Sequence, residues 1–588
     1  MKPKLFFNAN RLRRLLILVY AAGALIAWQL INIQVVSHKK YMEAAEQNRT
    51  QTIYQTAPRG RIFTADNIVI AGNLPSFSLY YIPRNRGVTR EYAENLSSDI
   101  AQYLPFSKED ISKKINVALK SGKDALLGEN VSPPKMFAVS EIRMYYPELY
   151  IVEETKRYYP FGSFASHLLG YVGTIDNKFW NTRNVKKDYR LNSKIGKNGI
   201  EQRYEGDLKG RDGELILEVD SVGRAKRRIR DNKWRAGSDI YTTLNFSVQQ
   251  TAQTALNRSL SGKGAVVVLN PKNGAVLALA SSPDFDPNIF VPYSDEETPH
   301  SQRTEIAEYN LAVQGMYPPA SPFKIITAIA AAQTGRLNIE EEINCTGKIH
   351  MSGREFKDWK AHGEHIDFMK GMAESCDVYF YNLGTKTGAA HIERIERLFR
   401  LGRRTGIDLP FEKSGNIFGP SKRARSKTYW FGGDTLNLSI GQGELLVTPI
   451  QMAVFAAALA SKGKIWKPYY IERIVSSGGK TTFEAEPYLI SQVDLKDGVY
   501  DLIWQSLKNV VDNGTGRVAK IKDIDVYGKT GSAQNPHGDD HGWFIAYAAK
   551  NGGSPDLALA VLVAHGKGGA GAAAPIAREI IKSYYGIE

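Results

Sequence analysis

Apolar positions fall into three patterns along the chain. Residues 15–37 carry no charge, and 15–28 are almost wholly apolar, which matches the roughly 20 residues a membrane-spanning helix needs. Residues 39–235 mix short strand-like runs with many charges and turn signals, a pattern that predicts an extended α+β region. Two apolar runs then flank Pro271-Lys272-Asn273-Gly274. Asn-Gly between such runs predicts a β-hairpin over 264–283. Helical periodicity follows at 323–333 and 368–383, strands at 543–549 and 557–565, and a last helix from Ala574. A hairpin, helices, further strands and a closing helix imply a sheet with helices packed against it. The fold class read from this is α+β. Its expected parts are a tail (1–14), a transmembrane helix (15–37), a pedestal (38–235) and a catalytic domain (236–588). The Gly/Ala-rich stretch 566–574 reads as a flexible connection.

Charge sets the expected topology. Lys2, Lys4, Arg11, Arg13 and Arg14 precede the apolar run, and only Lys39 and Lys40 follow it closely. The positive-inside rule then places the N-terminus in the cytoplasm and the bulk of the chain outside. A cleaved signal peptide is the rival. The apolar stretch is long for one, however, and no small-x-small site with a polar break follows it. The length of 588 residues rules out a single small binding module. With 43% hydrophobic and 23% charged residues, a disordered tail protein is excluded too. The net charge of +15 suits an anionic partner: nucleic acid, a membrane surface or an acidic polymer. No nucleic-acid recognition module is evident, and the bulk is placed outside, so no nucleic-acid partner is expected. Two cysteines exclude a disulfide framework and leave room for one bridge or one metal site.

Three short motifs carry candidate chemistry. Ser321-Pro322-Phe323-Lys324 stands at the start of a predicted helix, where a lysine three residues on shares the serine's face. Pro322 suits a helix start because its missing N–H would have no partner there. The helix dipole would favour an oxyanion beside Ser321. Lys324 would act as a base only when neutral, which burial or a neighbouring cation can bring about. Ser375-Cys376-Asp377 opens an apolar segment. Lys529-Thr530-Gly531 with Ser532 follows a strand-like run and is read as a strand–turn–strand edge. Each motif alone also reads as a cap or an exposed turn. In the order S-x-x-K, S-x-D, K-T-G they form the set of the serine penicillin-recognising enzymes.

With these motifs the chain resembles the class B penicillin-binding proteins, above all their elongation-type branch. Further matching stretches are Pro58-Arg59-Gly60-Arg61, Arg157-Tyr158-Tyr159-Pro160, Gly199-Ile200-Glu201 and Ser439-Ile440-Gly441-Gln442-Gly443. Departures are Ala320, Pro322, Ser532 and the segment 63–67, none of which removes a catalytic atom. The resemblance implies a dimerisation-type pedestal. It also implies a transpeptidase domain with an antiparallel sheet, flanking helices and an all-helical subdomain. The implied activity is a serine-type D-Ala-D-Ala transpeptidase/carboxypeptidase of peptidoglycan synthesis, acting in elongation and rod-shape maintenance. Ser321 would attack the penultimate D-Ala of a stem peptide, with Lys324 as base, kept neutral by Lys529 and by burial. Ser375 and Asp377 would hold Lys324 and relay the proton. Lys529, Thr530, Gly531 and Ser532 would bind the substrate carboxylate, and the N–H groups of Ser321 and Ser532 would form the oxyanion hole. No cofactor is implied for acyl transfer. Implied partners are stem peptides ending in D-Ala-D-Ala, β-lactams, a separate membrane glycan polymerase and elongation-complex proteins. The implied location is the inner membrane, with a single pass and a periplasmic catalytic domain. The septal homologue, a β-lactamase or β-lactam sensor, and a non-catalytic wall-binding protein are the alternatives.

Between the first two motifs the chain crowds Cys345, His350, Asp358, His362, His365 and Cys376. Thiolates with imidazole and carboxylate suit tetrahedral Zn²⁺. The resemblance implies zinc ligands at Cys345, Asp358 and Cys376, with His362 or His365 as the fourth. A Cys345–Cys376 disulfide and two buried thiols are the competing readings.

Overall fold

The computed structural model describes residues 9–83, 90–104, 106–121, 124–175, 189, 193–219, 225–293 and 308–587. Lys2 and Lys4 of the basic N-terminal cluster lie outside the described residues. Helix Ala9–Ile31 continues as a π-helix over Asn32–Val36, and none of this apolar rod is buried against protein. A rod apolar on every side and covered by nothing has the character of a membrane span.

The pedestal centres on the long strand Val69–Tyr81, paired antiparallel with Leu149–Tyr158 from Gly72↔Tyr158 to Tyr81↔Leu149. Helices Arg90–Ala101 and Lys108–Ser121 cover this ladder, the second burying Ile111, Ile115 and Ala118 on one helical face. Asp239–Thr242, Ile471–Val475 and Thr481–Glu484 extend the same sheet. Strands far apart in sequence therefore lock the pedestal to the rest of the chain.

The catalytic part is built on a five-stranded antiparallel sheet. Its spatial order is Val276–Ser282, Gly264–Leu269, Leu557–Val563, His541–Lys550, Ile524–Ala533. The predicted hairpin is present, turning at 271–274. Every residue of Gly264–Leu269 and Leu557–Val563 is buried. Helices cover both faces of the sheet, which is why its central strands read as unbroken apolar runs rather than alternating ones. Helices Phe246–Asn257 and Ala574–Tyr585 pack on one face. Pro449–Ala460, buried at all twelve positions, packs on the other with Lys324–Gln333 behind it in the same core.

Three expectations need correction. The segment 368–383 is not one helix but two, Phe368–Ala373 and Asp377–Thr387, broken where Ser375 takes a φ of +58°. The Lys-Thr-Gly motif is not a turn, because Ile524–Ala533 runs through it as a single edge strand fully paired with His541–Lys550. The stretch 566–574 is no loose connection. A Cβ on Gly569 would lie 2.1 Å from the Trp543 carbonyl oxygen, so its backbone is packed against the sheet, and a π-helix forms over Gly569–Ala573.

Candidate active site and metal cluster

Ser321 is displayed by a strained turn. The preceding Ala320 is fully buried at φ +53°, ψ −147°, a conformation that L-residues rarely adopt. Its N–H donates to the Gly441 carbonyl at 2.9 Å. Gly441, itself at φ +72°, runs so close that a Cβ would lie 2.4 Å from the Ala320 oxygen. Ser321–Phe323 then form a 3-10 turn that leads into helix Lys324–Gln333. That helix is buried along nearly its whole length, and it carries Lys324 into the interior with no exposed surface.

The break before helix Asp377–Thr387 brings the second motif to this lysine. Lys324 Nζ donates to the Ser375 carbonyl at 2.7 Å and to Ser375 Oγ at 3.2 Å, and it lies 2.7 Å from Asp377 Oδ1. Ser375 Oγ donates to Ser321 Oγ at 2.9 Å. The sequence spacing suggests direct contact of Lys324 with Ser321, whereas the hydrogen bonds run through Ser375. Burial pushes the Asp377 carboxyl above its ordinary range, and Lys324 opposes that shift. The side chain of Asp377 keeps 18% exposure toward the cleft.

Lys529 completes the constellation from the edge strand. It is fully buried, and burial, then the charge of Lys324, pushes its ammonium well below the usual lysine range. Gly531 lets the strand pass the nucleophile turn, since a Cβ there would meet Pro322 Cδ at 2.5 Å. Thr530 Oγ1 hydrogen-bonds Thr515 Oγ1 at 2.6 Å, and Gln442 Nε2 donates to the Ser532 carbonyl at 3.2 Å. Ser321, Ser375, Asp377, Thr530, Gly531 and Ser532 line one cleft of about 460 Å³. Trp359, Thr515 and Asp540 line it too. Sequence reasoning assigned no role to these three. Thr515 sits in a Gly-Thr-Gly turn, which is the one signal that marked it.

Behind the cleft lies a cluster of ligand atoms. Cys345 Sγ, an Asp358 oxygen, His362 Nδ1 and Cys376 Sγ lie within 4.8 Å of one another, all of them deep in the fold. The spacings are 3.5 Å (Cys345–Asp358), 3.4 Å (Cys345–His362), 3.3 Å (Cys376–Asp358) and 3.5 Å (His362–Asp358). Zinc–ligand bonds of about 2.0–2.3 Å give tetrahedral edges of roughly 3.3–3.8 Å. The donor set therefore fits Zn²⁺ in both chemistry and spacing. His362 Nε2 faces the Glu374 carbonyl at 3.2 Å, an outer partner of the kind that fixes a ligating imidazole. His365 does not join the cluster. At φ +60° its side chain points outward, 76% exposed and against Glu342, so of the two histidines it is the one excluded. His350 pairs with Glu355 on the surface. Both cysteines are free thiols, which departs from the disulfide reading. Burial, then Asp358, pushes the Cys376 thiol up. Burial works against the Asp358 carboxylate, but the bonds from His362 and the Val378 N–H hold it down at about 2.

The Penicillin binding protein transpeptidase domain family matches residues 264–582, and the Penicillin-binding Protein dimerisation domain family matches residues 54–242. The chain belongs to the class B penicillin-binding proteins. As a member, it is 30% identical to the peptidoglycan D,D-transpeptidase MrdA of Acinetobacter baumannii over 96% of its own length and 85% of that protein's. It is 29% identical to MrdA of Escherichia coli, with 93% and 89% covered. Among solved structures, the penicillin-binding protein 2 from Helicobacter pylori, in its complex with MreC, shares the fold at a TM-score of 0.74. There 91% of this chain and 99% of that one are covered, at 23% identity. A chain from a peptidoglycan synthase complex that couples polymerization and crosslinking matches at TM-score 0.73 and 25% identity, with 98% and 99% covered.

Proposed function

We propose that this penicillin-binding protein is the peptidoglycan D,D-transpeptidase of cell elongation, with Ser321 as its nucleophile. The observation that carries this reading is the connected chain Ser321–Ser375–Lys324–Asp377 in a cleft whose opposite wall is the Lys529 strand. The substrate's terminal carboxylate lies along that strand, against Lys529, Thr530 and Ser532, with its penultimate carbonyl at Ser321. Ser321 Oγ attacks that carbonyl while its proton passes through Ser375 Oγ to Lys324. The N–H groups of Ser321 and Ser532 hold the oxyanion. Collapse of the tetrahedral intermediate breaks the peptide bond. The proton returns to the leaving D-Ala amine, and the acyl-serine remains. An amine from a second stem peptide then attacks the ester, and its proton goes back to Ser321.

The two buried lysines explain how the base is made ready. One carboxylate, Asp377, lies beside two ammonium groups, so burial disfavours both being charged. When the substrate carboxylate arrives beside Lys529 it holds a proton there. With that carboxylate paired to Lys529, Asp377 remains for Lys324, the base that takes the Ser321 proton.

Cys345, Asp358, His362 and Cys376 would hold a structural Zn²⁺, which would supply a crosslink between the cleft wall at 357–359 and the segment carrying Ser375 and Asp377. The apolar helix Ala9–Ile31, with Arg11, Arg13 and Arg14 in its first turns, supports an inner-membrane anchor with residues 236–588 as a periplasmic transpeptidase domain on a pedestal of residues 38–235. A separate glycan polymerase and elongation-complex proteins are its partners, in line with the assemblies its structural relatives form.

Mass-spectrometric mapping after treatment with a labelled penicillin tests the reading. A stable adduct on Ser321, abolished by Ser321→Ala, is the expected outcome. An adduct elsewhere overturns the nucleophile assignment, and rapid hydrolysis of the label favours the β-lactamase alternative. The metal is tested by elemental analysis of the purified chain. About one zinc per chain is expected, with loss of metal and a lower unfolding temperature in Cys376→Ser. Metal-free protein with unchanged stability overturns that site.

A further inference from the structure

The chain's positive charge is not evenly spread. Residues 397–427 carry nine basic residues against two acidic ones, a surplus of seven that is nearly half of the total of +15. One acidic group, Glu412, is buried and accepts from Thr405, while Asp408 pairs with Arg203. Arg403, Arg404, Arg425 and Lys427 are exposed and have no ion-pair partner among the described residues. The fold gathers them. Gln451 Nε2 ties the Arg403 carbonyl to the Ser414 carbonyl, Gly402 packs on Ile417, and Arg397 reaches Ser421 beside the short helix Pro420–Arg425.

This basic surface continues into exposed aromatic rings. The loop after the helix carries Tyr429 and Phe431, 83% and 67% exposed. The next residues pack on a two-stranded hairpin, for a Cβ on Gly432 would meet Met351 Sδ at 2.7 Å and one on Gly433 would meet the Phe356 ring at 2.8 Å. Phe356 contacts Tyr381, whose hydroxyl donates to the Lys357 carbonyl at 3.2 Å. Lys357, Tyr381 and the 59% exposed Trp359 line the cleft that holds Ser321. Cations and exposed rings thus lie at both ends of this path, Tyr429 and Phe431 at one and Lys357 and Trp359 at the other, joined by the half-buried Phe356 and the buried Tyr381. Exposed rings of this size, grouped rather than scattered, mark a binding surface.

We propose that this basic and aromatic track holds the glycan strand whose stem peptide enters the cleft. Stem-peptide carboxylates would meet the arginines, and sugar faces would stack on Tyr429 and Phe431. The inference rests on the transpeptidase reading and adds the polymer to it. An anionic membrane would also attract these groups, but continuity with the catalytic cleft favours the polymer.

The test uses the full chain in detergent, with soluble uncrosslinked glycan strands bearing stem peptides as the probe. Arg403→Glu/Arg404→Glu/Arg425→Glu is expected to weaken strand binding by roughly tenfold, the sum of three modest exposed charge contacts. The wild-type affinity should fall as salt is raised. Tyr429→Ala/Phe431→Ala should weaken binding with little change in salt dependence. Both variants should be acylated by labelled penicillin at the wild-type rate, which also reports their folding. Unchanged strand affinity in both variants overturns the track. So does loss of binding to anionic phospholipid vesicles with strand binding retained. If penicillin fails to acylate the wild-type chain while strands still bind, the catalytic reading falls and the track stands.

Discussion

At the scale of single residues, burial decides what the charged groups do. Lys324 and Lys529 are both fully buried, and Asp377 stands beside them as a counter-charge. The folded-state pKa of Lys529 lies below its unfolded value, so its charge, and with it recognition of a substrate carboxylate, is present at lower pH and lost as pH rises through the depressed value. The KM for a carboxylate-bearing substrate is therefore expected to rise with pH well below the ordinary lysine range. Lys529→Arg should flatten that rise, because a guanidinium keeps its charge. A KM that stays flat to about pH 10 in the wild type would mean that Lys529 titrates like a free lysine. The motifs could not show this, because Ser-x-x-Lys and Lys-Thr-Gly say which groups are present and not how deeply each is buried.

Elements deliver those groups by close approach. The edge strand Ile524–Ala533 passes the nucleophile turn so tightly that only Gly531 fits beside Pro322, and Gly441 performs the same service behind Ala320. Gly531→Ala is expected to leave the fold intact and to push the strand off Ser321. Acylation by penicillin should then slow by about a hundredfold, as for misplacement of reacting groups by an ångström. Stopped-flow acylation checks it, and a rate within a few-fold of wild type would show that the strand can shift at no cost to the site. Apolar periodicity located the hairpin, two further strands and the helices at 323–333 and from Ala574, since such buried elements leave long apolar runs, but it did not mark the flanking helices Phe246–Asn257 and Pro449–Ala460. It failed at 368–383, where the residues remain apolar across a break. Ser375 leaves the helix because its carbonyl and hydroxyl are needed by Lys324, a partner 51 positions away.

Across the whole molecule, a buried ionic network inside the pedestal connects to the catalytic part through Tyr159 and Asn288. Glu201, with no exposed surface, receives Arg157 Nε at 2.6 Å and Arg59 Nη2 at 2.7 Å, and accepts from the Tyr159 hydroxyl at 3.2 Å. The Tyr159 backbone in turn exchanges two hydrogen bonds with the Asn288 side chain. The two guanidinium groups hold the Glu201 carboxyl below its ordinary range against the effect of burial. Glu201→Gln leaves Arg157 without its charge partner and Arg59 with Glu205 alone, and a loss of roughly 3–5 kcal/mol is expected in thermal or denaturant unfolding. A loss under about 1 kcal/mol would place the network among surface-like pairs. The matching stretches in 58–61, 157–160 and 199–201 were visible as fragments of sequence. Their meeting around one carboxylate was not, because Arg157 and Arg59 reach Glu201 from 44 and 142 positions away.

The sequence by itself determined the apolar anchor, the α+β class, the three catalytic motifs and the set of possible metal ligands, since each is a local pattern of residue types. Only the tertiary structure decided which of those groups meet. It routed Lys324 to Ser321 through Ser375, chose His362 over His365, left the two thiols unbridged and turned a Gly/Ala-rich stretch into a packed wall of the sheet. The reason is that hydrogen bonding, burial and charge coupling depend on distance through space, and these contacts span tens to hundreds of residues. The net charge of +15 told the same story. As a total it named no partner, but on the fold a concentrated share of it lies at 397–427, where Arg403, Arg404, Arg425 and Lys427 are exposed without ion-pair partners among the described residues.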